Sequence, residues 1–288
     1  MDESNLTAII TIYRNDKQDT RRLQKEKFLE KIKLLKKYGN FDIFLIEQSD
    51  DGNNFNIGKL KNIGFEIANK NNKKYNFFVF TDIDILPDKI LSNYYFNKIN
   101  GIGCLGIRGT RYESNNCFTG TCVSFNKESF KKINGYPNNF WGWGGEDDCI
   151  HIRCNINKIT FFTPKKGSII DLEENKLGKK ITFEEKNKFL KSNDLKENTK
   201  REKIVLDRKI WHNNGLNNLN YVIISNSEYN NEEYNLYNYV VDLNYKSDKK
   251  NFTHWYDLSK YRKLSDRENL KIYKKVRKKY LWCKFKYY

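Results

Sequence analysis

The sequence predicts an α/β protein: a mostly parallel central sheet flanked by helices, with a short antiparallel part towards the C-terminus. Three observations predict it. The first 80 residues alternate strand-like apolar runs with helical patterns. The run Phe77-Phe78-Val79-Phe80 is apolar throughout, as a strand covered on both faces must be. Residues 221–224 and 237–243 alternate as half-buried strands and pair most simply as antiparallel neighbours.

Taken in order, residues 6–13 are short, apolar and β-branched, a first strand ended by Arg14-Asn15-Asp16. Residues 18–38 follow a helical pattern, with Leu23, Phe28, Ile32 and Leu35 on one stripe. Residues 41–46 form a second strand, closed by the turn cluster Ser49-Asp50-Asp51-Gly52. Residues 57–69 form a second helix with Leu60, Ile63, Ile67 and Ala68 inward, leading to the third strand. Beyond residue 100 the strands shorten. Residues 146–156 are helical, and residues 171–209 are highly charged helix and loop.

The chain has 288 residues, 38% of them hydrophobic, with 19 Phe, 19 Tyr and 5 Trp. That load excludes disorder throughout. The apolar runs fall far short of the ~20 residues a membrane span needs. The opening Met1-Asp2-Glu3-Ser4-Asn5 is acidic and polar where a secretion signal is basic. Cys104, Cys117, Cys122, Cys149, Cys154 and Cys283 contain no CxxC pair, and are expected to be free thiols in a reducing compartment. The expected location is therefore cytoplasmic.

The net charge is +17, but its distribution is uneven. Residues 246–288 hold 15 basic and 4 acidic side chains, so +11 of the excess lies in this tail. A basic groove built into the fold is not expected, nor a nucleic-acid partner. We place a boundary at 245, with one domain over 1–245 and a basic aromatic extension over 246–288. In the tail Leu270, Tyr273, Val276 and Tyr280 keep helical spacing. They suit a surface helix packed on the domain; the alternative is peripheral contact with an anionic membrane.

Two constellations carry chemistry. The third strand runs into Thr81-Asp82-Ile83-Asp84. Ligands of open α/β sheets bind outside the carboxyl ends of strands, and two carboxylates there suit a divalent metal bound to phosphate oxygens. The same pair also fits a plain turn cap. The second is residues 134–148, in which Trp141-Gly142-Trp143-Gly144-Gly145 precede Glu146-Asp147-Asp148 at a helix start. Trp faces suit sugar rings, carboxylates accept sugar hydroxyls, and glycines let the backbone come close. Helix-start acids are stabilising in any protein, but that does not account for the Trp-Gly run.

These residues resemble the β-1,4-galactosyltransferase family, inverting metal-dependent enzymes of the GT-A fold. Residues 134–148 are similar to its most specific signature, and residues 78–87 to its metal-binding strand end. Residues 9–15 and the Gly215-Leu216-Asn217-Asn218-Leu219 stretch agree in order and spacing. The resemblance covers about residues 6–245.

It implies transfer of galactose or N-acetylgalactosamine from a UDP-sugar to a hydroxyl of a glycan or glycoconjugate acceptor, with Mn²⁺ or Mg²⁺. It further implies that Arg14 contacts the uridine diphosphate, that Phe55 and Asn56 face the uridine, and that Asp82 and Ile83 lie on the ribose side. Asp84 would bind the metal and Trp143 would close over the donor. Gly144, Gly145, Glu146 and Asp147 would form the acceptor site, with Asp147 as general base. Phe118 stands where galactose-transferring members have Tyr, which leaves the donor sugar open.

The sequence also departs from the family. Asp16 and Ile57 stand where the family has Arg, so donor contacts must be rearranged. The family's His metal ligand has no counterpart in the segment 167–174; Asp171 or Glu173 is expected to substitute, as carboxylates suit Mn²⁺. The missing His motivates an alternative function, a catalytically weak carbohydrate-binding protein that kept the Trp-Gly pocket.

Overall fold

The computed structural model describes residues 6–15, 21–109, 118–173, 180–192, 200–246, 271–272, 274–275, 278 and 285–287. Strand β1 (Thr7–Tyr13) is followed by α1 (Arg22–Ile32), β2 (Phe41–Gln48), α2 (Ile57–Lys70) and β3 (Phe77–Asp82). Short strands β4 (Ile85–Pro87), β5 (Ile102–Cys104) and β6 (Cys122–Asn126) come next, then α3 (Lys127–Lys132) and α4 (Glu146–Ile156). The chain continues through β7 (Phe161–Thr163), β8 (Ile169–Asp171), α5 (Phe183–Ser192) and α6 (Lys200–Ile210). It ends with β9 (Val222–Asn230), β10 (Asn235–Asp242) and β11 (Phe285–Tyr287).

Among the described residues nine strands form one sheet in the order β11-β7-β5-β6-β3-β1-β2-β10-β9. The centre, β3-β1-β2-β10, is parallel; β6 and β9 run against their neighbours. The alternation of the first 80 residues is thus a parallel sheet, and β9 and β10 are the expected antiparallel pair.

Side chains of β1 alternate between two cores, the period of a strand. Ala8, Ile10 and Ile12 pack with Leu60, Ile63 and Phe65 of α2. Ile9 and Tyr13 pack with Phe28 and Ile32 of α1. Helices on both faces explain why these strands are apolar throughout. At Gly64 a Cβ would come 2.4 Å from Ile10, so a side chain there would push α2 off the sheet.

The stripe expected on the first helix is only partly inward. Phe28, Ile32 and Leu35 are buried, whereas Leu23 is 59% exposed. Leu23 lies in the first turn, before α1 reaches the sheet. Val222, Ile223 and Ile224 are also exposed, because β9 is the edge strand.

The helical stripe of the tail, Leu270, Tyr273, Val276 and Tyr280, lies outside the described residues, as do Asp16, Cys117 and Cys283. Two described parts of the tail touch the domain. β11 pairs in parallel with β7. Ile272 packs against a small cluster of Phe140, Cys149, Ile152 and Ile204. Cys104, Cys122, Cys149 and Cys154 are buried free thiols. No helix among the described residues is long and apolar enough to cross a membrane.

Candidate active site

β1 has β2 on one side and β3 on the other, so the chain leaves it in opposite directions. Such a switch point opens a crevice at the carboxyl ends of the strands. Here it is a cleft of about 480 Å³. Tyr13 and Arg14 enter it from the end of β1, and Asp82, Ile83 and Asp84 from the end of β3. Phe55 and Ile57 flank the start of α2, Phe118 and Gly120 precede β6, and Trp143 to Asp148 line it from the start of α4.

Asp171 and Glu173 complete the lining, although they lie nearly ninety residues beyond Asp84. β4 and β8 pair antiparallel with Ile85 opposite Asp171. The Leu172 N–H then donates to the Asp84 carbonyl at 2.7 Å. This small sheet brings three separate acidic residues into one cluster. Burial pushes the Asp84 carboxyl up to about 6, against the pull of the Arg21 guanidinium, and the charges of Asp82, Glu173 and Asp171 add to the rise. Enclosure raises Asp82 too, opposed by Lys61 at 3.7 Å and by Arg21.

The donor set of Asp84, Asp171 and Glu173 is all oxygen, the chemistry that suits a hard divalent cation. A cation would also relieve the mutual repulsion that raises Asp84. The residues therefore fit a metal in kind. Their spacing is more open: among the described residues no three such side chains stand close enough to hold an ion as they are. Two basic side chains lie there instead. Arg21 is 3.4 Å from Asp84, and Lys186 of α5 pairs with Glu173.

The 134–148 signature divides in two. Its first half is structural. Asn62 donates to the Tyr136 carbonyl at 2.7 Å and to the Asn138 side chain at 2.8 Å. Asn138 donates to the Gly215 carbonyl at 2.7 Å and its N–H to Asn214 at 2.9 Å. These buried amides lock the segment between α2 and the Gly215 stretch, as buried polar groups require. The second half lines the cleft. Gly145 caps α4 with φ of +95°, and a Cβ there would meet the Phe140 ring at 2.8 Å. The cap places Glu146 and Asp147 in the first turn of α4.

Asp147 Oδ1 accepts from the Asp148 N–H at 2.9 Å, and Thr119 donates to the Asp147 carbonyl at 2.9 Å. Gly120 lies between the Phe118 ring and Asp147: a Cβ on it would be 2.4 Å from Phe118 and 3.1 Å from Asp147 Oδ2. Oδ2 thus lies beside Gly120, another residue of the cleft lining.

The structure brings together all the expected site residues except one. Asn56 is fully buried and does not line the cleft. It caps α2, its side chain accepting from the Lys59 N–H at 3.0 Å and donating to the Asn138 carbonyl at 2.8 Å. Its side chain is thus taken up in holding α2 to the signature segment. Arg14 reaches the cleft but also holds the neighbouring loop, donating to the Asn53 carbonyl and lying 3.4 Å from Asp50. Arg21, Lys61 and Lys186 are the cations that sequence reasoning missed. The chain carries 53 basic residues, and no local signal separates these three from the rest.

Parts of this sequence, and its fold, are shared with known proteins. Residues 2–97 match the model described as the N-terminal region of glycosyl transferase group 7, and residues 108–176 that described as the N-terminal domain of galactosyltransferase. β-1,4-Galactosyltransferase 4 of Homo sapiens is 29% identical over 189 residues, which is 65% of this chain and 50% of that protein. β-1,4-Galactosyltransferase 1 of Mus musculus is 38% identical over 115 residues, 40% of this chain and 28% of that protein. The chain thus spans half the length of these relatives or less.

The catalytic domain of Drosophila β1,4-galactosyltransferase 7 in complex with xylobiose superposes with a TM-score of 0.64 at 23% identity, covering 83% of this chain and 94% of that one. A variant of the Drosophila enzyme in complex with manganese, UDP-Gal and xylobiose gives 0.60 at 22% identity, with the same coverage. The fold is shared.

Proposed function

The chain belongs to the β-1,4-galactosyltransferase family, and from that membership we propose that it is an inverting glycosyltransferase moving galactose from UDP-galactose to a sugar hydroxyl. One observation carries the reading. Asp82 and Asp84 at the end of β3 share a single cleft with Trp143, Glu146 and Asp147 at the start of α4. Residues suited to a donor and residues suited to an acceptor in one cleft are what a sugar transfer needs.

Arg14, Phe55, Asp82 and Ile83 would bind the nucleotide, and Trp143 would cover the donor sugar. Gly144, Gly145 and Glu146 would seat the acceptor. Asp147 would take the proton from the acceptor hydroxyl as that oxygen attacks the anomeric carbon. A base has to stand within hydrogen-bond reach of that proton, and Asp147 lines the cleft. The displacement is direct, so no nucleophilic side chain is called for. Asp84, with Asp171 or Glu173, would hold the metal, Mn²⁺ by analogy with the Drosophila complex. When bound, such an ion stabilises charge developing on the leaving diphosphate.

Phe118 lies against Gly120 beside Asp147, where it would bound a donor sugar. The choice between galactose and N-acetylgalactosamine is assigned to this position. The reading includes a reducing, cytoplasmic setting, supported by the buried free thiols.

A screen of UDP-sugars, followed as UDP release with and without Mn²⁺, tests the proposal. Metal-dependent release from UDP-galactose, increased by an acceptor sugar, is the expected outcome. The open spacing of the acidic cluster favours a second reading, a sugar-binding protein with little turnover. Acceptor binding without UDP release from any donor would select it.

A further inference from the structure

Among the described residues seven carboxylates line the cleft, Asp82, Asp84, Glu146, Asp147, Asp148, Asp171 and Glu173. A nucleoside diphosphate adds further negative charge. One divalent ion does not balance that total, so the site needs protein cations close to the diphosphate. Arg14 lines the cleft but also serves the loop at Asn53 and Asp50. Arg21 and Lys186 also line it, one from the turn before α1 and the other from α5.

Both hold carboxylates of the proposed metal site. Arg21 lies 3.4 Å from Asp84, and Lys186 pairs with Glu173. Their side chains are 30% and 15% exposed, so they are partly enclosed by the cleft. A metal on Asp84 and Glu173 would compete with both.

We propose that Arg21 and Lys186 are exchangeable counter-cations: they neutralise Asp84 and Glu173 before the donor arrives, then move to the diphosphate oxygens once a metal takes the carboxylates. This inference rests on the UDP-sugar reading of the same cleft. Its physical content is a change of partner without change of charge. Long, flexible side chains can turn from a carboxylate to a phosphate a few ångströms away, and Arg matches both geometrically. The device keeps the acidic cluster from repelling itself in the free protein. It also couples metal to nucleotide, because metal alone leaves two cations without anions.

The two roles respond in opposite directions to removal of charge, which a merely structural role does not. The variants are Arg21→Gln and Lys186→Gln in the full chain. Mn²⁺ binding without nucleotide is read by electron paramagnetic resonance, and UDP binding at saturating Mn²⁺ by calorimetry. Each variant is expected to bind Mn²⁺ alone more tightly, by about threefold or more, because a competing cation is gone. Each is expected to bind UDP with Mn²⁺ about tenfold more weakly, the scale of a lost charge-assisted contact. Uridine, which lacks the diphosphate, should bind all forms alike.

Wild-type protein that binds UDP, with variants unchanged in both affinities, overturns the exchange alone. Variants weakened equally for UDP and uridine would also overturn it, since the loss would then be structural. Failure of the wild-type protein to bind UDP at all would overturn the donor reading and this inference with it.

Discussion

Arg153 and Asp207 form a fully buried, two-pronged ion pair between α4 and α6, with nitrogen–oxygen distances of 2.9 and 2.6 Å. The same guanidinium donates to the carbonyls of Gly135 and Asn214 at 2.7 Å each. One side chain therefore ties together the helix that carries Asp147, the structural half of the signature and the Gly215 stretch.

Removing one partner of such a pair leaves a buried charge uncompensated. Asp207→Ala should cost about 3–5 kcal/mol of stability, seen as a lower urea midpoint. Joint replacement by Arg153→Met and Asp207→Leu should recover only part of it, because the Gly135 and Asn214 carbonyls would still lose their donor. A single variant with an unmoved midpoint would mean that the pair contributes little.

Asp84→Asn should abolish Mn²⁺-stimulated UDP release, by roughly 10²-fold or more. The protein should stay folded, because burial and the neighbouring carboxylates already disfavour charge at this position. Near-normal turnover with unchanged metal dependence would remove Asp84 from the metal site.

Asp147→Asn should lower kcat by about 10²-fold or more and leave UDP affinity in place, since a general base acts only in the chemical step. Parallel steady-state kinetics and calorimetry separate the two. Collapse of UDP binding would make Asp147 a structural residue of the α4 first turn.

Deleting residues 250–288 should keep activity on small acceptors, because among the described residues every one that lines the cleft precedes position 187. It should also lower the thermal midpoint. The deletion strips β11 from β7, whose Phe161 and Thr163 are buried, and takes Ile272 from the α4–α6 cluster. A soluble product with an unchanged midpoint would count against these contacts; an unfolded one would make the tail part of the core.

Much of this protein is local, and local features are legible in a sequence. Ile9 and Ile10 face opposite cores because strands alternate, and a continuous apolar run needs no tertiary knowledge to be taken as a doubly covered strand. Asp82 and Asp84 belong to a strand end, and Glu146 and Asp147 to a helix start, on short-range grounds alone. Other features are set by distant parts of the chain. The cap that Asn56 provides to α2, and its donation to the Asn138 carbonyl, come to light only once those segments meet. Leu23 reads as core until the first turn of α1 is seen to stand clear of the sheet. Asp171 meets Asp84 only because β4 and β8 pair. Arg21 and Lys186 carry no mark in a basic chain until folding sets them against the acidic cluster. Hydrophobic periodicity and turn chemistry act over a few residues, so the sequence alone determined the sheet, its helices and the two acidic motifs. Charge pairing acts through space between segments far apart in the chain, so only the tertiary structure decided which cations face those acids.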